Sequence, residues 1–386
     1  MSAAAAPRTA APGHPAAAAV RLSSVVMAHP RRARAAEQLA ARLGPDVRPV
    51  FDPDPDGPPS ALRTALRAWE HCPGGVSHHA VFQDDVLPAD DAPGLLREAL
   101  ARHPGTLLTC YANSISWNGA AARAALLAGH TWLPPVPDDY LPTLAVAMPC
   151  AAAHEFVRYA RDSRESDDDE VLARFLRETG LPALLRAPSL VEHDDLPSLS
   201  GYDEDPVAHP DQYRVVRRSV CFSGAEPAGA RPEPLTRLAA WPHFVQRRAL
   251  LRMPSRLGRS RWQTRTRTSQ LRVLGLAPGE HHATADAALE RLDRLPEPRA
   301  GARRLLRELA LTAVGLGAVV AAARPGPPAR GPLTDAAVST CIEAGLGKKA
   351  DVARWQDQWP VLLDLAWSGI ALGAERGIAA EPGRWT

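Results

Sequence analysis

Strand-like and helix-like segments alternate through the first hundred residues, and this alternation limits the possible folds more than any other feature. The first strand-like segment is LSSVVMAH, residues 22–29, and the helical segment after it ends at Gly44. A second strand, VRPVFD, and a second helix lead to a third strand within HHAVFQDDVLP, residues 78–88. Because β-α-β-α-β order builds parallel sheets through right-handed crossovers, we expect an α/β fold with a mostly parallel, Rossmann-type sheet.

The alternation continues to about residue 193 and stops after Gly201. Helical segments then dominate, so we expect an α/β domain over residues 21–222 and an all-helical domain over residues 236–386. Between them, SGAEPAGARPEP has the composition of a linker, which we place at residues 223–235. Residues 1–20 form an Ala- and Pro-rich leader that we expect to be disordered.

Bulk properties exclude several classes of protein. A net charge of +2 gives no general attraction to nucleic acid, and the arginine-rich stretch from Arg247 to Arg272 is expected to face solvent or the first domain. The five cysteines lack CxxC spacing, which argues against a zinc ribbon or a disulfide framework and favours a cytoplasmic protein. The apolar run Leu309–Ala323 is too short for a membrane span and predicts a buried core helix.

Two acids, Asp84 and Asp85, follow the third strand directly. The carboxyl ends of parallel strands are where open α/β sheets bind ligands, and buried carboxylates need a positive partner. Alternate residues of a strand point to opposite faces, so one ion is not expected to bind both acids. Asp85, past the strand end, is the expected metal ligand, and Gln83 or Asp84 is expected to contact a sugar or ribose.

Other polar residues follow neighbouring strands. His29 and Arg31 come after the first strand and Asp52 after the second, so they are expected at the same crevice. His193 ends a later strand-like segment, LLRAPSLVEH. Oxygen ligands with one imidazole suit Mn²⁺ or Mg²⁺ better than structural zinc.

Together, VVMAHPRR, FQDDVLP and PSLVEH resemble the GT-A class of nucleotide-sugar-dependent glycosyltransferases, over roughly residues 20–202. The resemblance implies a GT-A-like domain in which Asp85 and His193 bind the metal. It further implies that residues around Ala28 to Arg31, with Asp52, hold the nucleoside. Gln83 stands where a strict DxD motif has its first acid. The expected donor is a UDP-sugar, with a GDP-sugar as second choice.

An inverting enzyme of this kind needs a carboxylate to deprotonate the acceptor, whereas a retaining one does not. The acidic run ESDDDE offers Asp168 and Asp169 for this role, although acids there also suit a helix N-terminus. Trp117, Trp132 and Tyr140 lie in an irregular stretch and are expected either to line the acceptor site or to pack the loop onto the core. The C-terminal helices are expected to recognise the acceptor or to mediate self-association.

Two alternatives remain open. A nucleotidyltransferase also uses metal-bound carboxylates on an α/β sheet, but AHPRRAR lacks the glycines of its phosphate loop. A catalytically inactive GT-A-like scaffold, whose helical half binds a partner, would bind nucleotide without turnover.

Overall fold

The computed structural model describes residues 20–194, 196, 199, 216–224, 226, 229–254, 262–265, 267–277, 279–324, 326–378 and 383–384. The predicted leader lies outside the described residues except for Val20.

The N-terminal half alternates strands and helices. Its elements are β1 (Leu22–Ala28), α1 (Ala33–Leu43), β2 (Arg48–Phe51), α2 (Ala61–Glu70), β3 (His78–Gln83), β4 (Val86–Pro88), α3 (Ala92–Arg102), β5 (Leu107–Thr109), α4 (Trp117–Leu127), β6 (Trp132–Leu133), β7 (Ala145–Pro149), α5 (Cys150–Ala160), α6 (Asp168–Thr179), β8 (Ala183–Arg186) and β9 (Val191–His193).

The C-terminal half begins with strands and continues with helices. Its elements are β10 (Arg237–Leu238), β11 (Trp241–Val245), β12 (Arg248–Pro254), β13 (Trp262–Arg265), α7 (Arg267–Val273), α8 (Glu280–Glu290), α9 (Arg299–Ala323), α10 (Pro332–Leu346), α11 (Lys349–Trp355), α12 (Trp359–Arg376) and β14 (Gly383–Arg384).

Seven strands form the central sheet, in the order β2-β1-β3-β7-β5-β8-β6. Strand β1 pairs in parallel with β2 and β3, and β5 pairs in parallel with β8. Strand β7 runs antiparallel to β3 and β5, and β6 runs antiparallel to β8. The prediction of a mixed α/β fold with a mostly parallel sheet is therefore confirmed. The carboxyl ends of β1, β2 and β3 meet at one edge.

The segment PSLVEH leaves the central sheet. The predicted strand LLRAPSLVEH is divided into β8 and β9, and β9 pairs antiparallel with β4 in a separate two-stranded sheet. Val86 lies opposite His193 in this pairing. The small sheet thus brings the end of the α/β unit beside the acids that follow β3.

The prediction of an all-helical C-terminal domain is wrong, because β11, β12 and β13 form a three-stranded antiparallel sheet. Strands β11 and β12 are joined by Gln246 and Arg247, both with positive φ. A two-residue hairpin turn of this kind usually contains glycine or asparagine. Its absence, in an arginine-rich stretch, removed the usual sequence signal for a hairpin.

Helix α4 connects the two halves of the molecule. Ser116 caps it by accepting a hydrogen bond from the amide of Gly119, and nearly all of its residues are buried. One hydrophobic cluster includes Ala121 of α4, Trp241 of β11 and Leu309 of α9. The sequence around Trp117 indicated only a loop, because Asn, Gly and Trp are weak helix formers.

The described part of the predicted linker is packed against the N-terminal half. The amide of Leu235 donates to the carbonyl of Trp132 at 2.8 Å, and Glu226 pairs with the buried Arg186 at 2.7 Å. The two halves therefore share a core across residues 223–235.

Helix α9 is the core helix of the C-terminal half. It is the one helix among the described residues long and apolar enough to cross a membrane, and 78% of its most apolar window is buried inside the protein. Its burial agrees with the core helix predicted for Leu309–Ala323.

One disulfide joins Cys72, just after α2, to Cys150 at the start of α5, with a Cα–Cα distance of 6.1 Å. The cysteine spacing did not predict this bond, since the two residues are 78 positions apart. Cys110, Cys221 and Cys341 are free and buried.

Candidate functional site

A cleft of about 190 Å³ lies at the carboxyl ends of β1, β2 and β3. It contains every residue that the sequence predicted to bind the donor, together with the predicted metal ligand Asp85. The polar and charged residues of its wall are His29, Arg31, Arg32, Asp52, Ser60, Arg63, Thr64, Gln83, Asp84 and Asp85.

The paired acids after β3 are bound by an arginine. Nη1 of Arg32 donates to Oδ1 of Asp84 at 2.8 Å and to Oδ2 of Asp85 at 3.1 Å. Burial and the neighbouring charge of Asp85 raise the pKa of Asp84, although Arg32 opposes this change. Burial alone would lower the pKa of Arg32, but the hydrogen bond and charge of Asp84, followed by the charge of Asp85, raise it overall.

His193 lies beside Asp85, the other residue that the sequence predicted as a metal ligand. Its Nε2 is 3.7 Å from Oδ2 of Asp85, and the two side chains are only 10% and 15% exposed. The other oxygen of Asp85, Oδ1, is buried and has no hydrogen-bond partner. These two residues come from segments over one hundred positions apart, and the pairing of β4 with β9 joins them.

Asp52 forms a two-point ion pair with Arg63 of α2. Its Oδ1 accepts from Nε of Arg63 at 2.7 Å, and its Oδ2 accepts from Nη2 at 2.8 Å. The hydrogen bond from Arg63 lowers the pKa of Asp52 despite its burial. Asp52 also caps the turn after β2, since its Oδ1 accepts from the amide of Asp54. Asp52 therefore holds the turn after β2 and also lies in the cleft where the sequence predicted it.

His29 has a defined tautomer because its two nitrogens have different partners. Its Nδ1 accepts from the amide of Arg31 at 3.1 Å, so Nε2 carries the hydrogen donated to the carbonyl of Pro55 at 3.2 Å. The backbone amide of His29 donates to Oδ2 of Asp84. His29 thus connects the end of β1 to the loop after β2, through Pro55, and to the acids after β3, through Asp84.

Gln83 connects the cleft to Asp168. Its Nε2 donates to Oγ1 of Thr143 at 3.1 Å, and Thr143 donates to Oδ1 of Asp168 at 3.5 Å. Burial, and then the charge of Asp169, raise the pKa of Asp168 to about 7. Asp168 is 7% exposed and is not among the residues that line the cleft.

The raised pKa predicts a pH-dependent effect of Asp168→Asn. The folded state keeps a proton that the unfolded chain loses above pH 4, so wild-type stability should fall as the pH rises from about 4 to about 7. The variant has no such group, so its free energy of unfolding should rise relative to that of wild type by up to a few kcal/mol across that interval. Urea denaturation at pH 5.0 and pH 7.5 measures this change. Parallel behaviour of the two proteins would contradict it, and Asp162→Asn, an exposed acid after α5, is the control.

Asp169 is more accessible than Asp168. It is half-buried, and its Oδ1 accepts from the amide of Glu170 at 2.8 Å. Burial raises the pKa of Asp169, and the bond from Glu170 opposes this. Burial also raises the pKa of Tyr140, with contributions from the charges of Asp139 and Asp169. Tyr140 and Asp169 therefore belong to one electrostatic neighbourhood.

The two predicted acceptor-lining tryptophans pack against protein groups. Trp132 is 0% exposed, and its ring lies 5.2 Å beneath the guanidinium of Arg186. Trp117 is half-buried, with the guanidinium of Arg252 5.5 Å from its ring and His243 on the same ring. The core-packing alternative thus describes Trp132, and Trp117 lies where the two halves meet.

Sequence reasoning missed several polar residues of the site. Arg32 and Arg63 are on helical segments where arginine is common, and Thr143 is in a Pro-rich loop. Tyr111 is 3% exposed, its hydroxyl has no hydrogen-bond partner, and burial raises its pKa well above the usual value. The charges of Tyr140, Glu192 and Asp85 act in the same direction. The position of Tyr111 just after β5 was the one sequence feature that could have placed it near these residues.

Neither a protein-family model nor a curated protein sequence matches the chain.

Proposed function

We propose that this protein is an enzyme that transfers a sugar from a nucleoside-diphosphate sugar to an acceptor. The observation that carries the proposal is the meeting of Asp85 and His193, 3.7 Å apart, beside a cleft at the carboxyl ends of parallel strands. Open α/β sheets bind ligands at that edge, and the cleft contains both cations and carboxylates. The GT-A-like assignment rests on these features and on the motifs VVMAHPRR, FQDDVLP and PSLVEH.

The residues present fit a hard divalent cation such as Mn²⁺ or Mg²⁺. Asp85 and His193 would hold the ion: Oδ2 of Asp85 is 3.7 Å from Nε2 of His193, and the other oxygen of this carboxylate, Oδ1, is buried without a hydrogen-bond partner. No cluster of three protein ligands occurs among the residues that the structure describes, so phosphate oxygens of the donor would complete the coordination. When bound, such an ion neutralises charge that develops on the departing nucleoside diphosphate.

Arginines of the cleft would hold the diphosphate. Arg63 is fixed by its two hydrogen bonds to Asp52, and Arg31 is exposed at the rim. Arg63 also donates to the carbonyls of Asp54 and Pro58, so one N–H of its Nη1 remains for a phosphate oxygen. Arg31 can offer phosphate two parallel N–H groups. In this proposal Asp52 acts by orienting Arg63.

The two acids at the start of α6 would have different roles. Asp168 is buried and acts through Thr143 on Gln83, so we assign it to positioning the cleft floor. Asp169 is half-buried and more accessible than Asp168, so it is the better placed of the two to accept a proton in an inverting transfer, and its raised pKa suits that role. A retaining transfer would leave Asp169 without this task.

A thermal-shift screen tests the proposal. UDP, GDP, dTDP and CMP are each added with and without Mn²⁺, at about 100 times the dissociation constant, where binding stabilises by roughly 2.7 kcal/mol. We expect one nucleoside diphosphate, UDP before GDP, to raise Tm by a few degrees only with Mn²⁺. No shift with any nucleotide would overturn the proposal. A shift without turnover of any sugar donor would favour the inactive scaffold.

A further inference from the structure

We infer that Arg32 competes with a metal ion for Asp85 and must leave that carboxylate before the ion can bind. The inference rests on the proposed function for the identity of the metal and the donor. It concerns the contacts of one arginine, one carboxylate oxygen and one imidazole.

Arg32 and His193 approach the same atom. Nη1 of Arg32 is 3.1 Å from Oδ2 of Asp85, and Nε2 of His193 is 3.7 Å from that oxygen. All three side chains are largely buried, with exposures of 13%, 15% and 10%. The guanidinium of Arg32 therefore already contacts the carboxylate oxygen, Oδ2 of Asp85, that an ion shared by Asp85 and His193 would need.

A guanidinium and a dication cannot both remain at one carboxylate oxygen. They repel each other, and burial leaves little water to screen the repulsion. Arg32 also neutralises Asp84, through the 2.8 Å contact to its Oδ1. The arginine thus supplies the positive charge that the two buried acids require.

The donor would give Arg32 another anion to bind. The backbone of Arg32 is fixed, since its amide donates to the carbonyl of His29 at 2.8 Å, but the side chain lines the cleft. A diphosphate in the cleft offers oxygens to both Arg32 and the metal. Metal binding without nucleotide should therefore be weak, and nucleotide should strengthen it by drawing Arg32 away from Asp85.

Titration calorimetry with Mn²⁺ alone tests this exchange. Arg32→Gln removes the competing cation and is expected to bind Mn²⁺ about tenfold more tightly than wild type, within the usual range of coupling factors. The matched control is Arg34→Gln, which removes the same charge from an exposed residue close in sequence that is not in the wall of the cleft. Its Mn²⁺ affinity should stay within about threefold of wild type, because only general electrostatics change. Adding Asp85→Asn to Arg32→Gln should abolish the gain.

A second titration, with UDP present, completes the test. Wild type should bind Mn²⁺ more tightly with UDP, and Arg32→Gln should lose most of that increase. Arg32→Gln binding Mn²⁺ no more tightly than wild type, at a site still lost in Asp85→Asn, would overturn the exchange and leave the metal site standing. Absence of Mn²⁺ binding in every variant, with and without UDP, would overturn the proposed function as well. If Arg32→Gln does not fold, Arg32→Lys is the substitute variant. Lysine keeps the positive charge but lacks the forked donors that hold both acids, so its gain in Mn²⁺ affinity should be smaller.

Discussion

Replacing Asp85 with asparagine is expected to abolish the Mn²⁺-dependent stabilisation by a nucleoside diphosphate and to lower glycosyl transfer by about 100-fold or more. The amide keeps the size of the side chain but loses the negative charge that a dication requires. Arg32 still has Asp84 as its partner, so the fold should be retained. Thermal shift with and without Mn²⁺, together with a transfer assay, measures both effects.

The control for this prediction is Asp90→Asn. Asp90 is an exposed acid shortly after β4, outside the wall of the cleft at β1, β2 and β3. It should keep both the Mn²⁺-dependent shift and the transfer rate. A Mn²⁺-dependent shift that survives in Asp85→Asn would show that the ion binds elsewhere.

The largest effect on stability is expected from Gly317→Ala in α9. A Cβ at this position would lie 1.9 Å from the carbonyl oxygen of Ile370 in α12, which is backbone and cannot rotate away. Gly373 of α12 has the same relation to the carbonyl of Val314, so the two helices touch through their backbones. The helices would have to separate along the main core of the C-terminal half, at a cost of about 3 kcal/mol or more.

Urea denaturation measures this cost, and Gly301→Ala in the same helix is the matched control. A Cβ at Gly301 would meet only the end of the Glu297 side chain, which can move. Alanine is a better helix former than glycine by about 1 kcal/mol, so this control should be neutral or stabilising. Equal effects of the two substitutions would show that α9 and α12 do not pack as closely as the structure has them.

Local patterns were sufficient to predict the sheet edge of the site. The acids after β3, His29 after β1 and Asp52 after β2 follow strands whose parallel order could be inferred from the alternation of elements. In a parallel sheet these ends must lie together, whatever the rest of the chain does. The cleft therefore contains the donor-binding residues that the sequence predicted.

Other contacts depend on partners that are distant in sequence and carry no local signal. The hairpin of β11 and β12 uses a turn without glycine, and Arg32 is one arginine among many. Trp132 looked like a loop residue, but it is fully buried beneath Arg186. A segment without helical or strand periodicity gives no sequence signal that would show whether an aromatic side chain packs in the core or faces a ligand.

The α/β class and the polar side chains at the ends of neighbouring strands could be predicted from the amino-acid sequence, because the periods of strands and helices are local properties. The departure of β9 from the central sheet to pair with β4, which places His193 beside Asp85, is visible only in the folded protein. The same is true of the binding of both acids by Arg32 and of the core in which α4 joins the two halves. Those contacts join residues that are far apart in the sequence. Their stability depends on how the complete fold buries charged and apolar groups, which no local segment determines.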